Sequence, residues 1–227
     1  MRQLKSAHMD DSASGSVSKQ AGFNIVANGD EALPNASSTQ VTLNHGAHMQ
    51  EVIQGNKVYW TTGGSWYVVD KSRFGYQSSF SGLNSRDLDT FLAALTSHSR
   101  VDDKGEDIVN GEKLRHITIV ITDNDGLRQL LENDKQLQAY PALSALLSKQ
   151  NINTLLRSLK NSSATVDLWI DETNFFVHRS VVNLSLNTVF SVAVNFNSTT
   201  NLSKFNQTVV PRPPAHATPL GDSDDLL

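Results

Sequence analysis

The segment VDLWIDETNFFVHRS, Val166 to Ser180, gathers the residue types of general acid–base chemistry: the carboxylates of Asp167, Asp171 and Glu172, and the imidazole of His178. Strand geometry separates them. In an extended chain Asp167, Trp169 and Asp171 point to one face while Val166, Leu168 and Ile170 point to the other. The two aspartates then stand about 13 Å apart at ~3.3 Å per residue, too far for a shared proton or for the carboxylate pair of a retaining glycosidase. Asp171-Glu172-Thr173-Asn174 is turn chemistry, because Asp and Asn side chains bond the backbone of a tight connection. The segment is therefore expected to be two strands and a turn. Whether Trp169 or the Leu168/Ile170 face turns inward is open at this point.

Other chemistries are weaker still. His45-Gly46-Ala47-His48 has a metal-like spacing, but it falls at a Gly-containing turn between strands with no third ligand close in sequence, so no metal is expected. His116 and His178 fall inside strands, where a histidine is ordinarily a half-buried hydrogen-bonding group. Ser78-Ser79-Phe80-Ser81-Gly82 lacks the first glycine and the strand-to-helix setting of a nucleophile elbow. Gly63-Gly64 turns between two strands and opens no helix, so it cannot cradle phosphate. Asn-x-Ser/Thr triplets at Asn35, Asn161, Asn183, Asn197, Asn201 and Asn206 are taken as a consequence of an Asn- and Ser-rich composition. With no cysteine, disulfides, thiolate nucleophiles and cysteine zinc sites are excluded. No catalytic residue and no cofactor is expected.

The elements that would hold such residues can be read from the pattern. A chain of 227 residues should bury roughly 70% of its unfolded surface, which allows a sizeable core. A net charge of -4 and a pI near 5.9 leave no basic footprint for nucleic acid. No apolar run approaches the ~18 to 20 residues that span a bilayer, and the first residues hold no signal-peptide core. Alternation predicts strands near Ala7 to Lys19, Gly22 to Glu31, Thr39 to His45, His48 to Gln54, Lys57 to Thr61 and Trp66 to Val69. Turns are assigned to Asn28-Gly29, Gly55-Asn56 and Gly63-Gly64, and Asn110-Gly111 gives a further hairpin in RVDDKGEDIVNGEKLRHITIVITD.

Helical spacing appears in between. Leu88, Phe91, Leu92 and Leu95 form one stripe of a helix over about Arg86 to Ser97, capped by Asn84 or Ser85. Leu127, Leu130, Leu131 and Leu137 mark a second, opening at Asp123 or Asp125. Pro141 suits the first turn of a third through Leu147, which Leu155, Leu156 and Leu159 continue. From Thr165 strands return through VDLWID, FFVHRSVVNLSL and VFSVAVNF, the last with Phe190, Val192, Val194 and Phe196 on one face. PRPPAHATPLGDSDDLL reads as a Pro-rich, then acidic tail. The expectation is α+β: one long antiparallel sheet with helices grouped on one side, as a single domain over 1–210 and a tail over 211–227.

The blocks LKSAHMDDSASGSV, EVIQGNKVYWTTGGSWYVVDKS, VNGEKLRHITIVI, VDLWIDETNFFVHRS and VNFNSTTNLSKFN followed by VVPRPP stand in an order that resembles the LppX/LprAFG bacterial lipoproteins, within the wider LolA/LolB-like group of envelope carriers. The resemblance covers the chain to about Pro214. It implies a curved antiparallel half-barrel whose helices cover the concave face over an apolar cavity. It also implies an exported, monomeric lipoprotein tethered to the membrane by an acylated Cys upstream of residue 1, and binding of an acyl lipid or other lipophile. Under it the cavity is expected to be lined by Leu88, Phe91, Leu92 and Leu95 from the first helix, and by Leu130, Leu143, Leu146, Leu147 and Leu155 from the later ones. Trp169, Phe190 and Val192 are the expected contributions of the sheet. Two alternatives remain: a protein-binding or sensor module on the same scaffold, and a lipid or ester hydrolase using a serine with His116 or His178.

Overall fold

The computed structural model describes residues 4–18, 22–33, 35–44, 46–71, 98–133, 149–191, 193–209 and 212–220. Strands β1 (Ser6–Val17), β2 (Phe23–Ala32), β3 (Ala36–Leu43), β4 (Ala47–Gln54), β5 (Lys57–Thr61) and β6 (Tyr67–Asp70) come first. Strands β7 (Ser99–Val109) and β8 (Glu112–Ile121) precede helices α1 (Asn124–Asn133) and α2 (Lys149–Ser158). The chain closes with β9 (Ser163–Ile170), β10 (Val177–Asn187), β11 (Ala193–Ser203) and the two-residue β12 (Thr218–Pro219).

All twelve strands join one open, curved sheet in the order β12-β6-β5-β4-β3-β2-β1-β11-β10-β9-β8-β7. Two meanders, β1 to β6 and β7 to β11, are joined where β1 pairs β11 antiparallel, with Met9 opposite Leu202 and Ala13 opposite Ser198. The hairpins follow from positive φ at their turns: Asn110 (52°) and Gly111 (84°) connect β7 to β8, and Gly55 (61°) connects β4 to β5. These are the left-handed angles that primed turns demand.

Three segments depart from the sequence-based expectation. Asn28-Gly29 is no turn but the interior of β2, where Gly29 opposes Thr39. The β3 backbone comes so close there that a side chain at 29 would collide with the Ser38 carbonyl and Thr39. Val189 and Phe190 belong to a turn instead of a strand, because Ser191 takes φ 62° and donates its N–H to the Thr188 carbonyl at 3.1 Å. The last strand accordingly starts at Ala193 and runs on to Ser203. The proline-rich end, expected as a tail, returns to the sheet as β12, parallel to β6, with Thr218 N–H donating to the Trp66 carbonyl at 2.8 Å. The expected helices over Arg86 to Ser97 and from Pro141 to Leu147 lie outside the described residues.

Alternation decides where the core sits. One face of the sheet carries Ala7, Met9, Ala13, Ile25, Ala27 and Val41 from the first meander. The second meander adds Ile119, Ile121, Ala164, Val166, Leu168, Val182, Leu184, Leu186, Val194 and Phe196 to the same buried cluster. Helix α1 presents Leu127, Leu130 and Leu131 to it, and α2 presents Leu156 with Leu155 packed alongside. Asp123 caps α1, its Oδ1 accepting the Gly126 N–H at 2.8 Å. Arg128 Nη1 donates to Asn153 Oδ1 at 2.7 Å and ties the two helices together.

Candidate functional site

The inward face is apolar but not uniformly so. Its strands are built on an apolar phase, and several positions in that phase are polar. Asp11 sits between Met9 and Ala13 in β1, and its Oδ1 accepts the Thr200 hydroxyl at 2.8 Å across the β1–β11 junction. Ser198, Thr39 and Ser37 are also buried on this face. Glu51, between Met49 and Ile53 in β4, is only 2% exposed. It opposes Thr39 of β3 and Trp60 of β5, and its Oε1 has no hydrogen-bond partner. Burial pushes the Glu51 carboxyl up to about 7 against the opposing pull of Lys71. Next to it the Trp60 and Tyr67 rings lie 5.1 Å apart and form an aromatic wall.

The outward face of β8, β9 and β10 carries a second cluster. The His116 and Trp169 rings stack with centroids 4.3 Å apart, and the Arg179 guanidinium lies 5.0 Å from the Trp169 ring centroid. Trp169 Nε1 donates to Asp107 Oδ2 at 3.0 Å, which together with the Ile108 N–H holds the Asp107 carboxyl below the usual range. His116 Nε2 lies 3.0 Å from Asp167 Oδ1, which also accepts the Thr118 hydroxyl at 2.5 Å. His178 Nδ1 contacts Glu112 Oε2 at 2.6 Å, and its ring packs on Phe205. The partners described for both histidines are thus carboxylates, a threonine and aromatic rings, not a serine.

Asp167 and Asp171 have separate partner sets, as strand geometry requires. Asp171 accepts the Thr173 N–H at 2.8 Å and Asn174 Nδ2 at 2.7 Å. Burial pushes its carboxyl up, but these donors outweigh it and hold it below the ordinary value. His45 lies outside the described residues, and His48 Nδ1 meets Thr42 Oγ1 at 3.1 Å. Among the described residues no group of three or more His, Asp or Glu side chains is placed to hold a metal ion.

The residues expected to line a cavity are distributed unevenly. Leu130 is 0% exposed at the centre of the cluster, and Leu155 packs half-buried against it. Trp169 alternates with Leu168 on β9, so Leu168 joins the cluster while Trp169 stands on the opposite face in the aromatic stack. Phe190 is 75% exposed on its turn. Leu88, Phe91, Leu92, Leu95, Leu143, Leu146, Leu147 and Val192 lie outside the described residues. Sequence reasoning missed Glu51 and Asp11, yet a signal was there: each is a charge placed in the apolar phase of an alternating strand.

No protein-family model and no curated protein matches the chain. Solved structures do. The chain resembles LppX. The Mycobacterium tuberculosis lipoprotein LppX aligns at 18% identity over 91% of this chain and 88% of that one, with a TM-score of 0.49. The Pseudomonas aeruginosa MucA/MucB complex aligns at 10% identity over 88% and 89%, with a TM-score of 0.26. A putative outer membrane lipoprotein-sorting protein domain from Vibrio parahaemolyticus aligns at 7% identity over 91% and 87%, with a TM-score of 0.24.

Proposed function

We propose that this protein binds and carries a lipid or another lipophilic molecule, without catalysing a reaction on it, in an apolar cavity between its sheet and its helices. The observation that carries the reading is the collection of apolar side chains from eight strands and two helices on one face of a single open sheet. Such a face needs no dedicated polar machinery to hold an acyl chain. Each CH₂ removed from water contributes about 0.8 kcal/mol, so a chain of about sixteen carbons gains on the order of 12 kcal/mol before ordering costs. Leu155 is proposed as a lining residue, backed by the fully enclosed Leu130, with Leu88, Phe91, Leu92, Leu95, Leu143, Leu146, Leu147 and Val192 completing the wall. The sequence resemblance to envelope lipoproteins supports reading it as an extracytoplasmic carrier, held at the membrane by a lipid anchor and acting as a monomer.

Organic extraction of protein purified from bacterial cells, read by lipid mass spectrometry alongside native mass spectrometry, tests the proposal. Stoichiometric acyl lipid is the expected result. Protein that is empty from every source and takes up no added lipid overturns it; specific capture of a protein by such empty material supports the adaptor alternative. Turnover of a generic ester, abolished by His178→Ala in a folded protein, would establish the hydrolase alternative.

A further inference from the structure

The buried acids of the inward face are treated differently by their surroundings. Asp11 is answered by the Thr200 hydroxyl across a strand pair. Glu51 is not: its Oε1 is fully enclosed and receives no hydrogen bond. Folded proteins leave few buried polar atoms unpaired, because each one loses its water without replacement. An acceptor left unpaired on this mainly apolar face is where a donor from a guest molecule fits.

We infer that Glu51 is the polar anchor of the carrier site, accepting a hydrogen bond from a hydroxyl group on the bound lipophile. The inference rests on the carrier reading and adds a ligand class to it: long-chain molecules with a free hydroxyl, such as alkanols and partial glycerides. The surroundings select a neutral donor. Lys71 already acts on the Glu51 carboxyl, so an ammonium head would meet a second cation and lose its own hydration in apolar surroundings. A fatty-acid carboxylate would bring a second acid against the first. Burial keeps a large share of Glu51 neutral near pH 7, and a neutral carboxyl still offers its carbonyl oxygen to a hydroxyl. The Trp60 and Tyr67 rings beside it give the first carbons of the chain an apolar surface to lie on.

The test uses the full chain, stripped of lipid, and two probes that differ only in the donor: 1-hexadecanol and its methyl ether, each competed against a fluorescent acyl probe. Wild type is expected to favour the alcohol about tenfold, the scale of one net hydrogen bond. Glu51→Leu is expected to lose that preference while still binding the ether, and Glu51→Gln, which keeps an acceptor, to retain it. A second readout needs no apolar substitution: the infrared carbonyl band of the Glu51 carboxyl should shift with alcohol and not with ether, and be missing from Glu51→Gln. Equal binding of both probes by wild type overturns the anchor and leaves the carrier standing. A preference unchanged in Glu51→Leu, or tightest binding of palmitate, overturns it as well. If neither probe nor any acyl lipid binds wild type, the carrier reading falls and takes the anchor with it.

Discussion

Trp169 and His116 stack almost parallel, with 11° between their ring planes, on the face of β9 turned away from the leucines of α1. Removing the indole takes away that stack, the contact with Arg179 and the hydrogen bond to Asp107 together. Trp169→Ala is expected to lower stability by about 2 kcal/mol in urea unfolding. Lipid binding, measured on the same protein under native conditions, should be unchanged, because the stack lies across the sheet from the apolar cluster. A large loss of affinity at unchanged fold would place the site on the outer face.

Leu130 has no exposed surface, so its truncation leaves a void that close packing cannot fill. Leu130→Ala should cost about 2–5 kcal/mol of unfolding free energy. Phe190→Ser, on the exposed turn before β11, should stay within about 0.5 kcal/mol of wild type. Denaturant titration of the pair checks whether the core or the turn carries the load.

Glu51 makes stability depend on pH. Its folded carboxyl is raised from an ordinary 4.5 to about 7, so the unfolded chain gives up the proton first. The stabilisation is complete below pH 4.5 and is lost as pH rises through 7, a difference on the order of 3 kcal/mol. Among the described residues Thr39 and Trp60 oppose Glu51 on the neighbouring strands, and the charge of Lys71 opposes the shift. Glu51→Gln does not titrate, so its melting temperature should match wild type near pH 4 and exceed it at pH 8. Parallel pH profiles for the two proteins would show that Glu51 is paired in the folded state.

The β7–β8 hairpin depends on Gly111 at φ 84°, where open space surrounds the missing Cβ. Gly111→Ala meets no clash and is expected to cost only backbone strain, about 1 kcal/mol. Gly29→Ala, against the β3 backbone, should be far worse and should fail to give soluble protein. Thermal melts and expression yields of the two variants distinguish the two roles of glycine.

Turns were legible wherever a local residue preference sufficed. Asn110-Gly111 and Gly55-Asn56 announce positive φ from two residues alone. Asn28-Gly29 carries the same signature, yet Gly29 serves the close approach of β3, a contact made ten residues later in the chain. Phe190 continued an alternating pattern past the point where Ser191 turns the backbone, so periodicity overran the strand boundary. The inward phase of β9 was undecidable within VDLWID itself, since Trp169 and Leu168 are both good core residues. The sheet order settles it, by placing Leu168 with Ile119 and Leu184 against the α1 leucines. Glu51 stood in plain view in HMQEVIQ, but its burial is a matter of tertiary packing and not of its neighbours in sequence.

The sheet is open, and its two ends are finished differently. At one, β12 lies along β6. At the other, no strand among the described residues pairs the outer edge of β7, and such an edge of backbone donors and acceptors is the sort of surface that recruits strands from other molecules. That edge is RVDDKGED, a dense run of charges of both signs interrupted by a register shift between Asp103 and Gly105. A neighbouring copy trying to extend the sheet there would have to desolvate this run of charges and would meet a strand irregularity. A segment that contributes little to the core is thereby what keeps one copy from templating the aggregation of the next.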